Sequence, residues 1–273
     1  LSIGTNSFMY MSYSVTPAVT KHALRPASAA PLSDSELDWT YSVALLTVVL
    51  LMFPAMYLLD HHNYKTTLAA STLNVAAAWL RYASVCSHSY MLAIASGVCL
   101  GGATSALIPS IALLPARWFP SRQQTLATSI VAQSSYAGWG FGTLISLLVS
   151  DYASMRTFMQ AQALAVSLNV PLFLILYRPL PPRAARELLT TAATWRLLRG
   201  HRQFWLHATC YGALAAISYT VPAVAADIFE ACAELAYVSR CSAWTNFAFI
   251  FAGVLAVRAP SAAVAAAAVA AAA

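Results

Sequence analysis

The chain has 273 residues, of which 60% are hydrophobic and 9% charged, and its formal net charge is +6. Soluble domains carry about a quarter of their residues as charged side chains, so this composition excludes an ordinary water-soluble protein. The basic residues lie between apolar stretches rather than in one basic module, which argues against a nucleic-acid partner. The composition indicates a protein of the lipid bilayer.

Eight apolar stretches are each long enough to cross a bilayer. A hydrocarbon core about 30 Å thick takes roughly 20 residues of α-helix. Helices are required because a backbone in lipid must satisfy its own hydrogen bonds. We therefore predict an all-α, multi-pass membrane protein with spans at 1–20, 39–59, 67–86, 90–116, 124–149, 156–177, 204–228 and 239–257.

The two ends of the sequence differ from the rest. The first span begins with polar residues and lacks a basic start, so it does not have the pattern of a signal peptide. We expect it to be the second half of a helix whose beginning lies outside this sequence. Residues 258–273 are mostly alanine, a low-complexity segment to which we assign no chemistry.

Lysine and arginine are unevenly divided between the two sets of connections. One set holds ten of them and the other, counting Arg81 near a span end, holds five. Basic residues favour the cytoplasmic side, so we predict that the richer set is cytoplasmic. The richer set consists of Lys65, Arg117, Arg122, Arg178, Arg183, Arg186, Arg196, Arg199, Arg202 and Arg258.

The longest cytoplasmic connection divides the chain. Its prolines end the sixth span, since proline cannot continue a helix, and the basic residues after them favour an amphipathic helix on anionic headgroups. We predict a six-helix first half, a basic linker, two helices of a second half and an alanine tail, at 1–177, 178–203, 204–257 and 258–273.

Short motifs follow one another in a recognisable order. They are Asn6-Ser7-Phe8 and Tyr10 to Tyr13, Asp38-Trp39, Leu58-Leu59-Asp60, Leu73-Asn74, Ala78-Trp79-Leu80-Arg81, Trp118-Phe119-Pro120, Thr125-Leu126-Ala127-Thr128, and Tyr211-Gly212 with Ser218-Tyr219.

This series resembles the feline leukaemia virus subgroup C receptor-related family of major facilitators, over most of residues 5–142 and again around 203–220. The resemblance implies a major-facilitator fold with about eight of its twelve helices present, arranged as two halves around a midplane site. It also implies alternating-access transport of choline, ethanolamine or haem across the plasma membrane or an organelle membrane.

The resemblance suggests residues for a substrate site. A quaternary ammonium donates no hydrogen bond, so aromatic faces are its natural receptor. Tyr10 stands where the family places a tryptophan of such a cage, and Tyr219 matches the tyrosine facing it from the second half. The further candidates are Asn6, Tyr13, Gln133 and Trp139. Asn6 and Gln133 are also compatible with hydrogen bonding between helices, and Trp139 with packing.

The resemblance also suggests a gate. In the family, an acid between the second and third spans pairs with basic groups and locks one closed state. Asp60 stands at that place, and Lys65 and Arg122 are the basic candidates. The alternative is that Asp60 is a solvated loop residue.

The positions of the acidic residues bear on the mode of transport. No aspartate or glutamate lies deep in a span, whereas proton or ion coupling normally uses such residues. We therefore expect facilitated diffusion of a small organic cation, with no cofactor and no need for an oligomer. Haem or another metabolite on the same fold, or a transport-inactive receptor or regulator, are the alternatives. We find no catalytic pattern, and Cys232 and Cys241 are either small apolar fillers or one outer disulfide.

Overall fold

The computed structural model describes residues 1–26, 30–177, 199–206, 209, 210 and 213. Helices make up the regular structure in this part of the chain. They are α1 (Ser2–Ser14), α2 (Pro17–Ala23), α3 (Asp34–His61), α4 (Asn63–Cys86), α5 (Tyr90–Trp118), α6 (Ser121–Thr143), α7 (Tyr152–Ser167) and α8 (Asn169–Leu176), with a 3-10 turn at Leu144–Leu147 after α6. The all-α prediction is confirmed for these residues. The predicted spans at 204–228 and 239–257 lie outside them, apart from 204–206, 209, 210 and 213.

The first predicted span is two helices rather than one. The first helix, α1, ends at Ser14, and α2 begins at Pro17, which occupies its first helical position. Proline has no N–H to donate to the preceding turn, but it suits the start of a helix. The break therefore falls where the proline requires it.

Side-chain caps lengthen two helices beyond the predicted spans. The Ser33 hydroxyl accepts a hydrogen bond from the Glu36 backbone N–H, and the Glu36 carboxylate accepts one from the Ser33 backbone N–H. This capping box starts α3 at Asp34. Asp151 and Ser154 form the same reciprocal box before α7. Each box satisfies N–H groups that a helix start leaves unpaired.

Three helical segments of the described residues are long and apolar enough by composition to cross a membrane. They are α3, α5 and the stretch Tyr152–Leu176 formed by α7 and α8. The fourth helix is more polar because it contributes Ser71, Asn74 and Arg81 to the interior of the bundle, where all three are buried. Intramembrane polar residues face the bundle rather than the lipid.

Glycines permit close helix contacts. A Cβ atom added at Gly101 of α5 would lie 2.3 Å from the Ala44 carbonyl oxygen of α3, and one at Gly138 of α6 would lie 2.1 Å from that of Gly4 in α1. Small residues allow membrane helices to approach so closely. These contacts pack α3 on α5 and α1 on α6.

Consecutive long helices run in opposite directions, as membrane spans must. At the predicted cytoplasmic end, the Tyr177 hydroxyl donates to Asn63 Oδ1 at 2.8 Å. At the other end, the Tyr90 hydroxyl donates to the Glu36 carbonyl at 2.9 Å, and a His88 ring nitrogen lies 2.9 Å from the Ala23 carbonyl. The connections therefore group by end as the charge distribution predicts.

Candidate substrate site on the first helix

The first helix carries most of the predicted site. Asn6, Tyr10 and Tyr13 follow at intervals of four and three residues, which places them on one face of α1. All three are buried. This face looks into the bundle, where α3, α4, α5 and α6 contact α1.

Tyr10 lies in a group of three aromatic rings. Its ring stacks on Trp139 of α6 with centroids 5.9 Å apart and an interplanar angle of 11°. The Tyr41 ring of α3 meets it edge-on at 5.7 Å. These geometries match the preferred aromatic arrangements. The structure thus brings the predicted residues Tyr10 and Trp139 together and adds Tyr41 to them.

The Tyr10 hydroxyl begins a chain of buried hydrogen bonds. It lies 3.0 Å from Thr104 Oγ1, which itself lies 2.7 Å from the Leu100 carbonyl and 3.0 Å from Asn6 Oδ1. The Thr104 hydroxyl has one hydrogen, and both other neighbours are acceptors. Tyr10 is therefore the donor to Thr104.

The chain continues across the bundle through amide groups. Asn6 Nδ2 donates to Asn74 Oδ1 at 2.9 Å, and Asn74 Nδ2 donates to Thr5 Oγ1 at 3.3 Å. Asn169 Nδ2 donates to the same Thr5 oxygen at 2.7 Å. Uncharged donors and acceptors therefore link α1 to α4, α5 and α8. Asn6 is part of this network, because it contacts both Thr104 and Asn74.

Tyr13 has different surroundings from Tyr10. Its hydroxyl pairs with Ser84 Oγ of α4 at 2.8 Å, and the Arg81 guanidinium carbon lies 4.4 Å from its ring centroid. One face of Tyr13 is therefore already covered by a cation of the protein.

The other predicted binding residues lie apart from the aromatic group or outside the described residues. Gln133 is half-buried on α6, and its Oε1 is buried without a hydrogen-bond partner among the described residues. Tyr219 lies outside the described residues. A groove of about 300 Å³ between the end of α5 and the start of α6 is lined by Ala112, Ala116, Gln124, Thr125, Thr128 and Ser129, so it does not include Tyr10.

The predicted gate acid contacts a neighbouring helix. Arg117 Nη2 of α5 lies 3.5 Å from Asp60 Oδ1 and 3.4 Å from the Asp60 carbonyl oxygen. Lys65 is exposed, and the Arg122 side chain lies outside the described part of the chain. Sequence reasoning placed Arg117 on the cytoplasmic side but did not select it as a gate residue.

Sequence reasoning also missed two partners of Tyr10, which are Tyr41 and Thr104. Tyr41 lies two residues after the Asp38-Trp39 motif, and Thr104 is one of four hydroxyl-bearing serines and threonines in the predicted span 90–116. Polar residues inside a span are a functional signal in themselves. That signal identifies Thr104 as a candidate, but it does not identify its partner.

Comparisons with known proteins agree on the fold. The model of the family described as the Major Facilitator Superfamily matches residues 1–273. The crystal structure of a D-xylose-proton symporter superposes with a TM-score of 0.60 at 16% identity, over 95% of this chain and 67% of that one. At that identity the superposition shows the fold alone.

Two curated transporters are similar to about half of this chain. The choline/ethanolamine transporter FLVCR1 of Felis catus is 30% identical over 145 residues, which are 51% of this chain and 24% of that protein. The choline/ethanolamine transporter FLVCR2 of Homo sapiens is 22% identical over 141 residues, 51% of this chain and 26% of that protein. The matched region is therefore about a quarter of each relative's length.

Proposed function

The chain belongs to the major facilitator superfamily, and from this premise we propose that it forms part of an alternating-access transporter of a small organic cation such as choline or ethanolamine. The superfamily consists of integral membrane transporters and not of enzymes. The proposed substrates are those that the names of the two similar curated proteins give.

The observation that carries the proposal is the aromatic group of Tyr10, Trp139 and Tyr41. Tyr10 is 4% exposed, and its ring has Trp139 on one face and the edge of Tyr41 beside it. Each cation–π contact contributes about 0.5–2 kcal/mol, with the larger values in desolvated sites. A buried group of rings suits a quaternary ammonium, which needs polarizable faces and no hydrogen-bond acceptor.

The second half of the fold completes the proposed site. Tyr219 would face Tyr10 from the seventh span, and Gln133 would supply a polar group from α6. The unpartnered Gln133 oxygen supports this role because a buried acceptor without a donor is costly. The proposed organisation keeps 1–177 as the first half, 178–203 as the linker and 204–257 as the start of the second half.

The proposed mode of transport is facilitated diffusion. In the described residues, the carboxylates Asp34, Glu36, Asp38, Asp60 and Asp151 all lie at or near helix ends. Coupling to protons or ions normally uses an acid deep in the membrane. This distribution supports a substrate that moves down its own electrochemical gradient while the halves rock about it.

The proposed gate joins Asp60 to basic groups on the cytoplasmic side. Arg117 is its neighbour in this structure, at 3.5 Å. Lys65 and Arg122 remain the partners that the sequence suggests for it. Breaking such contacts would release the halves for the opposite opening.

Uptake of radiolabelled choline by the full-length protein carrying this chain tests the substrate assignment. We expect Tyr10→Ala and Tyr219→Ala to lower uptake at low choline concentration by about tenfold, the loss that one or two cation–π contacts would cause. Phe53→Ala is the matched control, because Phe53 is an aromatic residue of α3 that is 79% exposed and lies outside the aromatic group of Tyr10. Unchanged uptake in both tyrosine variants would overturn the cage.

A competition panel separates the alternatives. Choline and ethanolamine should compete with the labelled substrate, whereas haem and sugars should not. Competition by haem alone would favour haem transport. A protein that reaches the membrane and transports none of the panel would favour a receptor or regulator.

A further inference from the structure

Arg81 is a buried charge in the interior of the bundle. It is 2% exposed and lies in α4, five residues before the end of that helix at Cys86. At 1.5 Å per residue this places its backbone roughly 8 Å inside the helix. A charged residue at such a position is expensive and normally has a role.

The contacts of Arg81 are with α1 rather than with an acid. Its Nη1 donates to the Met9 carbonyl at 2.6 Å, and its guanidinium lies over the face of Tyr13 at 4.4 Å. Elsewhere in the described residues, ion pairs join Lys21 to Asp34, Arg25 to Glu36 and Arg117 to Asp60. A carbonyl, an aromatic face and the negative end of the α1 dipole stabilise the Arg81 charge.

The same contacts connect α1 and α4 as one unit. The Tyr13 hydroxyl pairs with Ser84 Oγ at 2.8 Å, and the Ser84 hydroxyl donates to the Arg81 carbonyl at 2.7 Å. Arginine suits this geometry because its planar guanidinium can donate at its edge and stack with its face. Arg81 therefore holds both the backbone and a side chain of α1.

The two points that Arg81 holds lie on either side of Tyr10. Met9 precedes Tyr10 directly, and Tyr13 follows one turn later on the same face. The break between α1 and α2 comes directly after this segment, at Val15 and Thr16. Without Arg81, the last turn of α1 would lose a restraint next to that break.

We propose that Arg81 is a positioning residue for the substrate site. Its guanidinium fixes the final turns of α1 and so sets the ring of Tyr10 against Trp139. This inference rests on the proposed function, in which the Tyr10 ring contacts the substrate cation. Arg81 itself does not contact the substrate, since it is directed to α1 and carries the same charge as the substrate.

The proposal has a consequence for substrate selectivity. A quaternary ammonium such as choline depends on the placement of aromatic faces, because it cannot donate hydrogen bonds. A primary ammonium such as ethanolamine can also donate to nearby oxygens. Displacing the Tyr10 ring should therefore weaken choline binding more than ethanolamine binding.

Transport kinetics of the full-length protein, normalised to surface expression, test the proposal. We expect R81M to raise the KM for choline about tenfold and that for ethanolamine less than about threefold, because a mispositioned ring loses most of one cation–π contact. R81K should be intermediate, since lysine keeps the charge but lacks the planar group.

The Tyr10→Ala background distinguishes positioning from a general loss of structure. In that background the ring is already gone, so adding R81M should change the choline KM by less than about twofold. The proposal would be overturned if the choline KM of the double variant rose by the product of the two single fold-changes. It would also be overturned if R81M alone left the choline KM unchanged.

A second pair of variants covers failure of R81M to reach the membrane. Tyr13→Leu removes the ring under Arg81, whereas Tyr13→Phe keeps the ring and removes only the hydroxyl. We expect Tyr13→Leu to reproduce the selectivity change and Tyr13→Phe, which keeps the ring face under the guanidinium and loses only the contact with Ser84, to show a smaller change; the reverse order would overturn the proposal. Absence of choline uptake by the wild type, or no effect of Tyr10→Ala, would instead overturn the proposed function, and the inference with it.

Discussion

The Tyr10 hydroxyl and the Thr104 hydroxyl form a hydrogen bond 3.0 Å long in the interior of the bundle. This contact joins the central aromatic residue of α1 to α5. Thr104 in turn reaches Asn6 Oδ1 at 3.0 Å, so one threonine contacts two predicted site residues. The position of the Tyr10 ring thus depends on a hydroxyl that the sequence motifs do not include.

Replacing Thr104 by valine tests this dependence. Valine keeps the shape but removes the hydroxyl that pairs with Tyr10 and with the buried Asn6 Oδ1, which should cost about 1–3 kcal/mol of stability. We expect a lower melting temperature of the purified protein and a higher KM for choline. The Thr104→Val change should cost less in a Tyr10→Phe background, because only the contact with Asn6 Oδ1 is then left to lose. Equal costs in the two backgrounds would contradict the hydrogen bond.

The close approach of α3 and α5 gives a second prediction. A Cβ atom at Gly101 would lie 2.3 Å from the Ala44 carbonyl oxygen, whereas one at Gly102 would have only ordinary contacts, the nearest with Leu73 at 3.5 Å. Gly101→Ala should destabilise the protein by about 1–3 kcal/mol, because α3 and α5 must separate.

Gly102→Ala is the control for this change on the same helix. It should be neutral or slightly stabilising, since alanine favours a helix by about 1 kcal/mol over glycine. Thermal unfolding of the two purified variants distinguishes them. Equal melting temperatures would show that the helices tolerate a methyl group at their contact.

Much of this architecture follows from the sequence, but the side-chain partners do not. The intervals between Asn6, Tyr10 and Tyr13 predict one face of a helix, and they do share a face. The same intervals cannot show that Tyr10 meets Thr104, 94 residues away, while Tyr13 meets Ser84, 71 residues away. Helical periodicity gives direction on one helix, whereas partners depend on how several helices pack.

The break in the first span shows that a proline can matter more than continuous hydropathy. A continuous apolar stretch predicts one helix over 1–20, yet α1 ends at Ser14 and α2 starts at Pro17. Proline restricts the residue before it to non-helical conformations. Giving Pro17 more weight than hydropathy would have predicted two helices.

The start of α7 gives a prediction about acid stability. The Asp151 side chain accepts from the Ser154 backbone N–H at 2.8 Å, and this hydrogen bond holds the pKa of the Asp151 carboxyl below its ordinary value of 3.8. A depressed folded-state pKa stabilises the fold above the unfolded-state value. This contribution is lost as the pH falls through the folded-state pKa.

Asp151→Asn isolates that titration, because asparagine caps a helix without ionising. The stability difference between the wild type and Asp151→Asn should favour the wild type near neutral pH and shrink below about pH 4, near the unfolded-state pKa of aspartate. Melting temperatures measured as a function of pH provide the test. A difference that stays constant with pH would contradict the assigned hydrogen bond.

The contact between Asp60 and Arg117 gives the last prediction, which concerns the rate of transport. Their side chains are 38% and 34% exposed, so the pair contributes at most about 1 kcal/mol to stability. An energy of that size still changes the population ratio of the two open states several-fold. Asp60→Asn and Arg117→Gln should therefore change the maximal rate of uptake several-fold with little effect on the melting temperature. Arg202→Gln is the control for removal of an exposed basic residue that has no part in the proposed gate.

The exchanged pair Asp60→Arg with Arg117→Asp distinguishes a direct interaction from two independent effects. If the two residues act through their mutual attraction, the exchange should restore most of the rate that either single reversal loses. A double variant as slow as the product of the singles would show that Asp60 acts through other basic groups, for which Lys65 and Arg122 are the next candidates. Because the exchange also restores the net charge at this end, Asp60→Arg combined with Arg202→Asp is the control, since it restores the net charge but not the contact with Arg117.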